Sequence, residues 1–189
     1  MIIRGVPLRT RRHTAVNHAV CGALAPLRQR GFHLTMETNM DPLVQRIATS
    51  PLPVGLRADA VLTDHNAGGQ QWFLDVTIVH PEPGVPPAVT ARQAEDAKIT
   101  KYRKHYHFSI NDGIVPFVVT TQGVWGTRAE AFATWAAKTL SSQPGTDVSC
   151  YATTIRRLIE RVTVAAQKGN AACIAHVRKQ CHVPALQPA

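Results

Sequence analysis

The sequence has only four cysteines in 189 residues and no Cys-x-x-Cys pair, which excludes a disulfide framework and the usual zinc spacings. Cys21, Cys150, Cys173 and Cys181 are read as reduced thiols, the state expected in an intracellular protein. His18 with Cys21, and Cys181 with His182, lack the further ligands that a zinc site needs. No apolar run reaches membrane-spanning length and the N-terminus has no signal-peptide core, so neither a membrane partner nor export is expected. Acidic residues are scarce too. Against 21 Lys and Arg stand 12 Asp and Glu, a net charge of +9. Such an excess favours a polyanionic partner, most commonly nucleic acid. The length suits one domain with a full core.

Because acid is scarce, its placement is informative. Residues 56–63 and 71–79 are rich in β-branched and apolar side chains and are joined by Asn66-Ala67-Gly68-Gly69, so they read as an antiparallel hairpin. Each run carries one carboxylate, Asp59 and Asp75. A turn centred on Ala67 pairs residues whose numbers sum to 134, which sets these two opposite each other. Opposed like charges destabilise a sheet unless something offsets them. A divalent cation held by oxygen ligands, Mg²⁺ in particular, does so. The alternative is a shifted register with both carboxylates in water.

Around this hairpin the chain reads as follows. Residues 1–12, with Arg4, Arg9, Arg11 and Arg12, form a basic arm. Val16, Val20, Leu24 and Leu27 mark an amphipathic helix from His13 to about Arg30, bent near Pro26 and capped by Gly31. Residues 32–38 alternate as a strand with Glu37 on its polar face, where it is either a third acidic group or a solvated one. Residues 39–55 form a loop or a short helix. A proline-rich crossover at 81–87 leads to a helix over 88–107, on which Lys98, Lys101 and Tyr102 share a face. Residues 114–121 form a strand buried on both faces. A helix over 127–140 follows, then a linker, a basic helix over 151–168 with Arg156, Arg157 and Arg161, and a short helix to Gln180 after a cap at Asn170. The expected architecture is α/β, with a central mixed β-sheet flanked by helices and a helical C-terminal extension over 146–182.

The ordered set Arg12-His13, Gly31, Glu37, Arg57-Ala58-Asp59, Leu74-Asp75-Val76-Thr77, Lys98, Lys101-Tyr102 and Gly123-Val124-Trp125 resembles the restriction-like endonuclease domain of site-specific non-LTR retrotransposons, within the PD-(D/E)XK nuclease superfamily. The resemblance spans about residues 11–140, close to the expected core domain at 13–140. No single motif carries it; their order does. It implies a metal-dependent DNA endonuclease that nicks one target strand so that the freed end primes copying of element RNA by an associated reverse transcriptase. It further implies Asp59 and Asp75 as ligands of Mg²⁺ or Mn²⁺, Lys98 as the catalytic lysine, and Glu37 as a further acidic position. Lys101 and Tyr102 would complete a motif beside the site, with Arg12, His13, Arg156 and Arg157 contacting double-stranded DNA. The implied location is the nucleus. Ala58 replaces the family's usual proline, and Thr77 stands where the wider superfamily has its lysine. The zinc knuckle and polymerase that precede the domain in that family are not in this sequence, so a fragment, a truncated copy or a domesticated remnant is expected. Two other readings stay open: a degenerate nuclease fold that only binds nucleic acid, and a repair or junction-resolving nuclease of the same superfamily.

Overall fold

The stripe Val16, Val20, Leu24 and Leu27 does mark a helix that buries these four side chains completely or nearly so. In the computed structural model, which describes residues 8–48, 55–109, 112–142 and 148–180, helix α1 spans Leu8–Leu24 and continues into a 3-10 segment at Ala25–Arg30. The helix starts five positions earlier than His13, so Arg11 and Arg12 belong to its first turns. Pro7, just ahead of it in the sequence, favours such a start, and arginine is a good helix former. Pro26 sits near the start of the 3-10 segment, and Gly31 ends it at φ +81, a left-handed cap that needs no side chain.

Strands β1 (Phe32–Asn39), β3 (Arg57–Asp64), β4 (Gln70–Val79) and β6 (Gly113–Thr120) form one sheet in the order β1-β3-β4-β6. The first three are antiparallel, whereas β4 and β6 are parallel and joined across helix α2 (Pro87–Arg103), so the sheet is mixed. The hairpin register runs from Ala60 opposite Leu74 to Asp64 opposite Gln70, the expected sum of 134 throughout.

Two apolar layers cover the sheet. One face carries α1, α3 (Thr127–Ser141) and α4 (Val148–Gln180) over Leu34, Ala60, Leu62, Leu74, Val76 and Phe117. The other carries Tyr102 of α2 and Tyr106 over Ala58, Val61 and Phe73. Tyr106 belongs to β5 (Tyr106–His107), which pairs with β2 (Gln45–Arg46) in a two-residue ribbon that the sequence did not suggest. That ribbon also explains why α2 stops at Arg103 rather than reaching residue 107. Val115 through Thr120 are buried although β6 lies at the sheet edge. The edge is covered because the chain folds back on it: Thr120 N–H donates to Val124 and Gly126 N–H to Val118.

The expected break at Asn170 does not occur, since α4 is one helix of 33 residues. A Cβ at Gly169 would run into the side chain of Arg12, and the Asn170 amide donates to the Thr121 carbonyl at 2.9 Å. These two residues serve close approach to the rest of the fold, not helix termination. Leu158, Val162 and Ala166 of α4 lie in the same buried cluster as α1 and the sheet. Among the described residues no helix is long and apolar enough to cross a membrane.

Glu95 of α2 is almost fully buried and caps the start of α3, accepting from the N–H groups of Arg128 at 2.8 Å and Ala129 at 3.3 Å. Gly126 leaves room for it, because a Cβ there would meet the Glu95 carboxylate. Burial raises the pKa of this carboxyl, partly countered by the two N–H donors. A raised carboxyl pKa favours the folded state below the ordinary carboxylate range, an advantage lost as pH rises through the folded value. Glu95→Ala orphans both donors and is expected to lose about 1–3 kcal/mol in denaturant melts. Glu95→Gln keeps an acceptor oxygen and removes the charge, so it should stay within about 1 kcal/mol of the parent at neutral pH and flatten the acid-side stability profile.

Candidate active site

Beyond Ala60 and Leu74 the β3–β4 ladder ends, and the strands part at the two carboxylates. Side-chain alternation also breaks here, for Ala58 and Val61 both pack into the second cluster. The Val76 N–H donates to Asp59 Oδ2 at 2.7 Å, so a side chain replaces the missing strand contact. The fork opens into a cleft of about 450 Å³. Thr10, Arg12 and His13 of α1 line one side, with Arg57 and Asp59 of β3 and residues 75–78 of β4; Lys98, Lys101 and Tyr102 of α2 line the other.

Each carboxylate has a basic side chain as partner. His13 Nε2 lies 3.2 Å from Asp59 Oδ2 and 2.9 Å from the Val76 carbonyl oxygen. Both oxygens accept, so Nε2 carries the proton. The bond to Asp59 raises the His13 pKa, burial opposes this, and the charge of Asp59 and the Val76 carbonyl add to the rise. Asn17, buried in the next turn of α1, donates to the Asp59 backbone carbonyl at 3.3 Å and fixes the strand beside it. Cys21, one turn further on, is a buried thiol whose pKa is pushed up to about 11, which makes it a poor nucleophile.

Asp75 is more enclosed. Lys98 Nζ donates to both of its oxygens, at 2.8 and 3.0 Å, and the Tyr102 hydroxyl donates to Oδ2 at 2.7 Å. Thr77 Oγ1 donates to Oδ1 at 3.2 Å. Burial and then the Asp75 charge raise the Tyr102 pKa, so the phenol remains a donor. Lys98 and Tyr102, one turn apart on α2, therefore grip one carboxylate together. Lys101 points to the outer part of the cleft, its Nζ 5.6 Å from the Tyr102 ring centre. Asp75 is thus paired with Lys98, while Asp59 is hydrogen-bonded to His13.

The remaining expected residues divide. Arg12 reaches the cleft and is held there by Asn170 of α4, whose Oδ1 accepts from Nη1 at 2.7 Å. Glu37 does not line the cleft: it is exposed, adopts φ +52 and pairs with Arg57 at 3.3 Å. Arg156 is also apart from the cleft, donating to Glu160 one turn along α4 at 2.8 Å. Arg157 lines a separate hollow with Arg30 and Arg161. Asn17 and Asn170 were not singled out for these roles. Asn17 had a signal, a polar residue on the otherwise apolar stripe of α1; Asn170 had none, because its partner lies 158 residues away.

The donor set suits a hard cation. Among the described residues no three His, Cys, Asp or Glu side chains form a metal-holding group. Asp59 and Asp75 do line one cleft, and Asp59 Oδ2 and the Val76 carbonyl oxygen share one bonded point at His13 Nε2. Oxygen-only sets completed by water are typical of Mg²⁺. No family model matches this chain, and a search of curated proteins found no match either.

A raised His13 pKa means that its contribution to stability is complete below the ordinary histidine value of 6.5 and is lost as pH rises through the folded value. Thermal melts in chelator between about pH 5 and pH 8 should show the parent losing stability on the alkaline side. His13→Gln should lack that component. Parallel pH profiles for the two proteins would rule out the raised His13 pKa.

Proposed function

We propose that the cleft is the active site of a metal-dependent DNA endonuclease of the PD-(D/E)XK kind, and that the chain serves as the nicking domain of a site-specific non-LTR retrotransposon. Target-primed copying of element RNA by an associated reverse transcriptase would follow the nick. The observation that carries the reading is the pair of carboxylates at one strand fork, with Lys98 brought from the crossover helix to within 3.0 Å of both Asp75 oxygens. The mixed sheet and helix-linked parallel strands are the architecture expected of such a core.

In this reading Asp59, Asp75 and the Val76 carbonyl would hold Mg²⁺ or Mn²⁺, which when bound supplies charge stabilisation at the phosphate and a more acidic water. Tyr102 and Thr77 orient Asp75 by hydrogen bonds. Lys98 is an ammonium donor beside the reacting phosphate, where a fixed charge stabilises the negative charge that develops. Arg12, Arg57 and Lys101 line the cleft with donors for neighbouring phosphates. His13 holds its proton between Asp59 and the Val76 carbonyl and releases both oxygens when it withdraws.

A second reading is favoured by one feature. Lys98 and Tyr102 already engage both oxygens of Asp75, an arrangement also suited to a nuclease fold that binds nucleic acid without cutting it. Plasmid nicking in Mg²⁺ separates the two. Asp59→Asn and Asp75→Asn keep hydrogen-bonding shape but lose the charge, and each is expected to reduce nicking at least a hundredfold, roughly the scale of losing one key electrostatic group. Wild-type nicking by either variant would remove the proposed metal site; no nicking by the parent despite DNA binding would favour the second reading.

Lys98→Ala and Lys101→Ala test the division of labour on α2. Loss of Lys98 should abolish nicking at saturating DNA while Mg²⁺ binding persists, because an ammonium repels the cation. Lys101→Ala should mainly weaken DNA binding. The reverse ranking in single-turnover assays would transfer the catalytic role to Lys101.

A further inference from the structure

Helices α1 and α4 lie antiparallel, with Arg12 against Gly169 and Asn170 at one end and Ala23 beside Leu158 at the other. Between them runs a groove of about 690 Å³ that begins at Arg12, which also lines the cleft. The two walls repeat one pattern. On α1 it is Arg11, Ala15, His18 and Gly22; on α4 it is Arg161, Ala165, Lys168 and Ala172. Steps of four, three and four put each set on one helix face. Arg11 on α1 and Arg161 and Lys168 on α4 are therefore interspersed with small residues along the groove.

The groove floor is open: a Cβ at Gly22 would meet nothing within 4 Å. No acidic residue lines it, and Arg161 leads on to the hollow bearing Arg157 and Arg30, which also has no acidic lining. Arg11, Arg161 and Lys168 have no acidic partner among the described residues, in contrast to Arg156, which pairs with Glu160 outside the groove. These unpaired cations, set among the apolar Ala15, Ala19, Val164 and Ala165, suit an anion with repeating charge. No Phe, Tyr or Trp lines the groove, so it lacks the large stacking platforms by which single strands are usually held. Phosphate contacts without base contacts fit the backbone of a duplex.

We propose that the α1–α4 groove carries the duplex arm that leaves the cleft, held through its phosphates by Arg11, Arg161 and Lys168. The proposal rests on the nuclease reading for what lies in the cleft. The groove follows α1 from Arg11 to Gly22, about 17 Å, which at about 3.4 Å per base pair accommodates roughly five pairs.

The test is the double variant Arg161→Gln, Lys168→Gln, with Arg92→Gln, Lys138→Gln as a charge-matched control on exposed positions outside the groove. Binding to a duplex with arms of about 20 base pairs is read in chelator, so that no metal chemistry is needed. The groove variant should bind about tenfold more weakly, and its log–log salt slope should fall by roughly 1.8, or 0.9 for each lost contact. The control should bind like the parent, and a duplex ending at the cleft should be nicked at the parental rate by both variants. Parental affinity of the groove variant for the long duplex would overturn the proposal and leave the groove to another anionic partner. An equal loss in the control would reduce the effect to net charge and overturn it as well. A larger loss on single strands than on duplex would overturn the choice of occupant. These outcomes are separable from the nuclease reading: nicking that survives Asp75→Asn sinks that reading whatever the groove does, whereas unchanged long-duplex binding sinks only the groove.

Discussion

The Val76 N–H donates to the Asp59 carboxylate at 2.7 Å, and the cleft depends on that bond. An N–H left unpaired in a buried strand is costly, and continued pairing of β3 with β4 would close the fork. A carboxylate satisfies the donor while keeping the strands apart. The same oxygen is then committed to the cleft, where His13 Nε2 lies between it and the Val76 carbonyl oxygen. Position 59 thus ends the ladder and begins the site, so any residue without an acceptor there would alter both.

Helix α2 completes the arrangement because it is held at two points. Glu95 reaches into the start of α3, and Lys98, three residues further along the same helix, reaches Asp75 in β4. Tyr102, another turn on, donates to Asp75 at 2.7 Å with its hydroxyl 3.2 Å from the Arg57 carbonyl oxygen, which brings β3, β4 and α2 together. Three buried or half-buried polar anchors in eight residues define the depth of α2 far more tightly than apolar contact alone, which tolerates sliding.

Much of this was legible in the sequence because it depends on local pattern. The hairpin register followed from the position of its turn, and the stripe of α1 from three- and four-residue spacing. Lys98, Lys101 and Tyr102 were recognisable as one helix face, and two of them do meet Asp75. What was not legible depends on long-range geometry. Gly169 and Asn170 read as a helix end, yet the missing Cβ admits Arg12 and the amide bridges to Thr121, so α4 runs through them. Glu37 stood on the polar side of a strand, but its left-handed backbone and its pairing with Arg57 keep it out of the cleft lining. The pairing of Arg156 with Glu160 was in fact readable, being an i,i+4 couple on an exposed helix face.

The surplus of basic residues acquires a direction once the acids are located. Glu37, Asp41, Asp96 and Glu160 are paired with arginines, while Glu95 caps a helix and Asp64 accepts turn N–H groups of the hairpin loop. Asp59 and Asp75 lie in the cleft. With those carboxylates engaged close to where they stand, the cations left without acidic neighbours include Arg11, Arg161 and Lys168 along the groove whose mouth meets the cleft at Arg12. Coulomb attraction at that mouth would act on an approaching polyanion over about a Debye length, some 8 Å at physiological salt. An anionic chain captured on α1 and α4 would then find its next phosphates at Arg12 and Lys101, so the charge distribution orders binding from groove to cleft instead of leaving it to chance encounter with the carboxylates, which would repel it.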